Sequence, residues 1–288
     1  MRDRTSRRQF LRLSAAGAAA MSTVLRNRVA PADQLTGRVR KALGYPMIQE
    51  ELSAEDKLRL VRDVGFEGVE VPTSLLKRNT PEPKVLARAA EKAGIRIHGV
   101  VNSSHPDLKA AIDEAALYGA DSVLHVVRSD PNGSYLENYR RTQETIRRAI
   151  PHAESKRVYI LIENVWATFL IEPLSMKRYI DELDSPYVQA YFDVGNVLRW
   201  GWPHHWIEVL GRRIVKIHVK EFSTKVAMNE GMRRAFRIPM GEGDVPWDKV
   251  REQLLRIDYR GWVTAEVPGG DRKRLAEISQ QMDRVLHL

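Results

Sequence analysis

From about residue 40 to the end of the chain, apolar positions fall into two alternating patterns. Short runs rich in Val, Ile and aromatic residues predict strands: "KALGYPMI" (41–48), "GVEV" (68–71), "IRIHGVV" (95–101), "SVLHVV" (122–127), "VYILIE" (158–163), "VQAYFDV" (188–194), "IVKIHVK" (214–220) and "WVTAEV" (262–267). Between them, apolar residues recur every three to four positions and predict helices over 53–64, 81–93, 105–118, 134–156, 171–183, 203–210, 246–257 and 271–286. The first helix opens on Ser53 with Glu55 and Asp56 in its first turn, a capping residue followed by acidic residues at the positive end of the helix dipole. Gly65, Gly94 and Gly119 follow helical stretches as stop signals.

Strands alternating with helices imply parallel pairing. Eight such units in one stretch of this length match a (β/α)8 TIM barrel in the α/β class. An open doubly wound sheet needs fewer strands, and no GxGxxG turn follows a strand here. The longest non-periodic piece, 221–245, is long for a loop in a compact domain, which is frequently a sign of function. It carries Arg233, Arg234 and Arg237, which suit a phosphate or acid group and equally a solvated basic loop. It closes on "MGEGDVPW", where Gly241 and Gly243 permit tight turns. Asp244 reads there as an N-cap, with Pro246 at an early helical position.

Composition narrows the chemistry. Cys is absent, so disulfides, thiolate metal sites and Cys nucleophiles are excluded, and any metal must be held by His, Asp and Glu. The net charge of +9 raises the prospect of nucleic acid, but residues 1–32 carry seven Arg against one Asp and account for +6 of it. The near-balanced remainder lacks the clustered basic face that phosphate backbones require, so no nucleic-acid partner is expected. The basic segment itself reads as an address. "SRRQFLR" (6–12), with Arg7 and Arg8 as the pair, resembles the twin-arginine export motif, a small-residue stretch follows, and "APA" (30–32) suits a cleavage site. The expected organisation is therefore a twin-arginine signal over 1–32, handled by that export machinery, and one barrel domain over 33–288. The localisation that follows is periplasmic or otherwise extracytoplasmic, with a membrane anchor if the leader stays uncut. A disordered basic tail is the plainer alternative.

Active sites of such barrels lie at the C-terminal ends of the strands, and four consecutive strands end on possible ligands: Glu163, Asp193, His218 and Glu266. Taken singly, each has an ordinary explanation: a salt-bridged Glu, a turn Asp, a core His. Taken together, three carboxylates and an imidazole on adjacent strands suit one divalent ion. Mn²⁺ or Mg²⁺ fits the oxygen-rich set best, with Co²⁺ or Zn²⁺ as alternatives.

The stretches "ILIENVW", "YFDVGN", "KIHVKEF", "MGEGDVPW" and "GWVTAEV" resemble the xylose-isomerase-like TIM-barrel family of sugar-phosphate isomerases and epimerases, including the D-tagatose 3-epimerase and hydroxypyruvate isomerase relatives. The resemblance spans the whole barrel. It implies that Glu163, Asp193, His218 and Glu266 bind one metal, and that Glu163 and Glu266 move protons on the two faces of a keto sugar or sugar phosphate through a metal-stabilised enediolate. It also leaves room for a homo-oligomer. Two departures concern the substrate rather than the metal. Asn196 stands where the tagatose-epimerase pattern has a His after the metal Asp, and "HVKEFSTK" offers Lys220 and Lys225 in place of an Arg.

Lys220 lies two residues beyond His218 and so on the same face of the strand, a candidate contact to a substrate oxygen. Further substrate candidates are Glu70, His98, Asn102, His125, Asn196 and Trp166, each weighed against a polar core role. Trp166, Trp200 and Trp202 are candidates to wall the pocket, since sugar faces stack on aromatic rings. Competing functions are a lyase or dehydratase on the same metal, a non-catalytic sugar-binding barrel, and an abasic-site endonuclease. The last needs more His and Asp ligands than this chain offers.

Overall fold

The computed structural model describes residues 35–165 and 169–288; the predicted export signal and Trp166 lie outside the described residues. Eight parallel strands close into a barrel in sequence order: β1 (Val39–Gly44), β2 (Gly68–Pro72), β3 (Arg96–Ser103), β4 (Ser122–His125), β5 (Tyr159–Glu163), β6 (Val188–Asp193), β7 (Ile214–Val219) and β8 (Gly261–Ala265). β8 returns to pair with β1 through Val39↔Gly261 to Leu43↔Ala265, which leaves no open sheet edge. Each strand overlaps a predicted run. The first starts two residues early, at Val39, and stops at Gly44, because Pro46 forces the chain into a 3₁₀ turn over Tyr45–Met47.

The surrounding helices are α1 (Ala54–Asp63), α2 (Pro83–Ala93), α3 (Leu108–Tyr118), α4 (Tyr135–Arg147), α5 (Ile150–Lys156), α6 (Pro173–Asp181), α7 (Pro203–Leu210), α8 (Thr224–Glu230), α9 (Met232–Ala235), α10 (Trp247–Arg256) and α11 (Arg272–Leu286). Ser53 caps α1 by accepting from Asp56 N, and the left-handed Gly94 and Gly119 end α2 and α3. The predicted helix 134–156 is two helices. Pro151 would clash with the carbonyl four residues back, so the chain breaks at Arg148–Ala149 and restarts with Pro in the first turn of α5. The 221–245 segment is also more ordered than its pattern implied, since it folds into α8 and α9 around Gly231 (φ 91°).

Asp244 does not cap the following helix. Its carboxylate accepts from Thr224 N, which ties the two ends of that segment, while Pro246 immediately precedes α10. Glu221 fastens the same junction: it is fully buried and accepts from Gly241 N (2.7 Å), Val245 N (3.0 Å) and Trp247 Nε1 (2.9 Å). Gly243 passes so close that a Cβ there would meet Phe222 O at 2.4 Å.

The main apolar core lies between the barrel and its helices. Phe192 on β6 faces Trp206 on α7, for example, with ring centroids 6.4 Å apart. Inside the barrel the filling is more polar. The next inward residue on β6, Tyr191, reaches across to Glu70 on β2 and Thr264 on β8. This alternation of faces decides which strand residues can meet at the barrel mouth.

Candidate metal centre and active site

Strand register places the four predicted ligands at one level. Asp193 pairs with His218, and Val219, the residue after His218, pairs with Ala265, just before Glu266. Glu163 ends β5 beside Tyr191 of β6. One ligand atom from each of Glu163, Asp193, His218 and Glu266 falls within 4.8 Å of the others, a spacing that a divalent ion with bonds of about 2–2.5 Å spans. His218 Nδ1 sits among the carboxylates, 3.2 Å from Glu163 Oε1, 3.9 Å from Asp193 Oδ2 and 3.8 Å from Glu266 Oε2. Glu163, Asp193 and His218 are buried, while the side chain of Glu266 is 50 % exposed and opens the site to solvent.

Lys220 joins this group. Its Nζ lies 2.8 Å from Asp193 Oδ2 and also contacts Glu266 Oε2. Burial works against its charge, but Asp193 and Glu266 outweigh that and raise its pKa. Burial likewise opposes the His218 imidazolium, and Glu70 and Glu266 overcome it. The carboxylates divide. Burial pushes Glu163 up to about 7 against its hydrogen bond from His218, and Asp193 also rises with burial. On Glu266 burial is outweighed by Lys220 and His218, which bring it down to about 2. Protein cations therefore satisfy Glu266 and leave Glu163 short of positive charge. The donor set is hard, its spacing fits one ion, and its anionic charge is under-compensated; all three features suit a divalent cation.

Neighbouring amides hold the ligands in place. Asn164 clasps the Asp193 backbone at both ends, accepting from Asp193 N and donating to Asp193 O, each at 2.8 Å. Asn196 N donates to Asp193 Oδ1 (2.8 Å) and its Nδ2 to Asn164 O (3.0 Å). Asn196 is thus tied to the ligand loop by its backbone and its amide. Asn164, which braces Asp193, is not among the candidates read from the sequence, although its place directly after Glu163 was a usable signal.

Of the remaining substrate candidates, Glu70 and His98 lie inside the barrel beneath the ligands. Glu70 Oε2 is 2.7 Å from His218 Nε2. His98 Nε2 is 3.1 Å from Thr264 Oγ1, and its ring stacks on Trp262 with centroids 4.6 Å apart. Burial and the positive charge of Lys216 keep His98 well below the ordinary His range, hence neutral. One candidate, His125, is corrected. Ser122 of β4 meets Lys216 in the interior, so His125, three residues on, points outward; it lines a cavity beside Thr142 and Thr145 of α4. Asn102 donates to His105 O (2.7 Å) and braces its own loop. A bulge opposite Glu70 puts His98 and Gly99 on the same side of β3 and shifts the facing of the residues beyond. Trp200 and Trp202 are more than half exposed on the loop after β6, which leads from Asp193 to α7. Among the described residues no helix is long and apolar enough to cross a membrane.

Comparison with known proteins agrees with this architecture. A family model described as xylose isomerase-like TIM barrel matches residues 58–286. The chain is 23 % identical over 240 residues to a putative L-ribulose-5-phosphate 3-epimerase of Escherichia coli, covering 74 % of this chain and 83 % of that one. Among solved structures it is similar to a D-allulose 3-epimerase from Methylomonas sp., with TM-score 0.70, 16 % identity and coverage of 86 % and 98 %. It is also similar to a 3-keto-D-glucoside 4-epimerase from E. coli, with TM-score 0.69, 14 % identity and coverage of 87 % and 100 %.

Proposed function

The chain belongs to the xylose isomerase-like TIM-barrel family, and from that premise we propose that it is a divalent-metal-dependent isomerase or epimerase of a keto sugar or sugar phosphate. The observation that carries the reading is the convergence of Glu163, Asp193, His218 and Glu266 on one point at the barrel mouth. The activities named for the similar proteins are 3-epimerisation of a 2-ketose and 4-epimerisation of a 3-keto glucoside. Both invert a carbon next to a ketone, and this site is equipped for that step.

The four ligands would hold a divalent ion, which when bound supplies Lewis acidity beside the substrate carbonyl. Glu163 and Glu266 come from strands on either side of β6 and β7, so the two carboxylates flank the same volume. One removes the proton next to the carbonyl and the other returns a proton to the opposite face. Glu163 suits the role of base because its carboxylate is buried at the barrel mouth and oriented by His218 Nδ1 at 3.2 Å, on one flank of the volume that Glu266 also faces. Lys220, held between Asp193 and Glu266, donates to a substrate oxygen as negative charge develops there.

The test combines metal analysis with solvent exchange. Purified protein carries about one equivalent of Mn²⁺ or a similar ion and, in D₂O, places deuterium next to the ketone of an accepted substrate. Glu163→Gln and His218→Ala lose both. A folded wild type that takes up no divalent ion and exchanges no proton would sink the proposal, and a dehydrated product would move the reaction to the lyase class.

A further inference from the structure

Glu70 is a buried carboxylate that the mechanism above does not use. It lies on β2, across the barrel from the ligand strands, with its side chain 2 % exposed. No Lys or Arg forms an ion pair with it among the described residues. Its charge is instead directed at the far nitrogen of the metal-site imidazole, with Oε2 2.7 Å from His218 Nε2. Tyr191 OH donates to the same oxygen at 3.3 Å and is itself anchored on Thr264 Oγ1 at 3.1 Å. The space for this carboxylate depends on Gly99, where a Cβ would come within 3.3 Å of Glu70 Oε1.

We propose that Glu70 is a positioning residue: by accepting the Nε2–H of His218 it fixes the ring so that Nδ1 is the atom offered to the metal. The geometry of both ring nitrogens supports this. Nδ1 has three carboxylates within 3.9 Å at the barrel mouth, while Nε2 points down to Glu70. An imidazole that donates one N–H to a carboxylate has its tautomer and ring angle set, and its other nitrogen becomes a better ligand. Glu70 lies below the imidazole and a substrate at the mouth lies above it, so a sugar contact for Glu70 does not fit this arrangement. The inference rests on the metal-site reading above.

The experiment measures Mn²⁺ affinity by competition with a fluorescent chelator, with thermal melting alongside, for wild type, Glu70→Gln, Glu70→Ala and Tyr191→Phe. Glu70→Ala weakens binding about 10- to 100-fold. Glu70→Gln, nearly isosteric and still able to accept from Nε2–H, loses less. Tyr191→Phe, which leaves the Glu70–His218 pair intact, changes affinity less than either. Wild-type affinity in folded Glu70→Gln and Glu70→Ala overturns the inference, and a loss confined to kcat/KM returns Glu70 to the substrate contacts and overturns it too. A wild type that does not bind Mn²⁺ fails the proposed function, and this inference with it. Binding in the wild type that the Glu70 variants share fails the inference alone.

Discussion

The barrel interior buries charge at two levels, and the two levels handle it differently. Low in the barrel, Lys216 is 1 % exposed, yet its Nζ donates to His98 O (2.5 Å), Asp121 Oδ1 (2.5 Å) and Ser122 Oγ (2.6 Å). Its three N–H groups have three acceptors, and Asp121 at the barrel floor supplies the opposite charge. At the mouth, three carboxylates crowd around Lys220 and His218, and burial, with Glu266 nearby, keeps Glu163 basic in spite of its hydrogen bond from His218. The Lys216 charge is matched within the polypeptide, whereas on the function proposed above a bound cation completes the upper level. Incomplete satisfaction of buried charge, rather than burial of charge as such, marks the functional end of this barrel.

The sharpest way to break this comparison is to remove a member of the upper group. Glu163→Gln should lower kcat by about 10²- to 10⁴-fold, the usual contribution of a general base, with metal content falling too. In the chelated protein the same substitution should raise stability, by about 1 kcal/mol or a few degrees in thermal midpoint, because an under-compensated anion is gone. Calorimetry with and without chelator distinguishes the two effects.

Added metal should then reverse the order. At a concentration of about 100 Kd, Mn²⁺ should stabilise the wild type by about 2.7 kcal/mol, and Glu163→Gln by much less. In the lower level the expected loss is of stability alone. Lys216→Met should cost about 2 kcal/mol, since two buried acceptors and the half-exposed Asp121 carboxylate lose their donor, while metal affinity measured by chelator competition stays at the wild-type value. The smallest effect belongs to His125→Gln, which should leave kcat/KM within about twofold, because that ring faces the helices rather than the mouth.

What could be read from the chain alone follows the physics of each element. The eight strands and the level of Glu163, Asp193, His218 and Glu266 were legible because parallel strands place their last residues at one end of the barrel, and apolar runs mark those ends clearly. The inward or outward facing of the residues that follow His98 on β3, Asn102 among them, was not. A bulge adds one residue and flips the side chains that follow, and it leaves no mark in an apolar run like "IRIHGVV". The Glu70–His218 pair was equally hidden, because its members are 148 residues apart in sequence and meet only when the barrel closes. The break between α4 and α5 was available in Pro151, but the continuous helical periodicity outweighed it.

Glu221 has a consequence for how this protein can change. Its carboxylate binds the chain where it leaves β7 to the chain where it enters α10, so the segment from Phe222 to Met240 starts and finishes at one clamp. A segment anchored in this way behaves as a cassette. Its length and side chains can be exchanged, by evolution or by an engineer, without passing strain into the strand that carries His218, provided that Glu221, Gly243 and Trp247 stay in place.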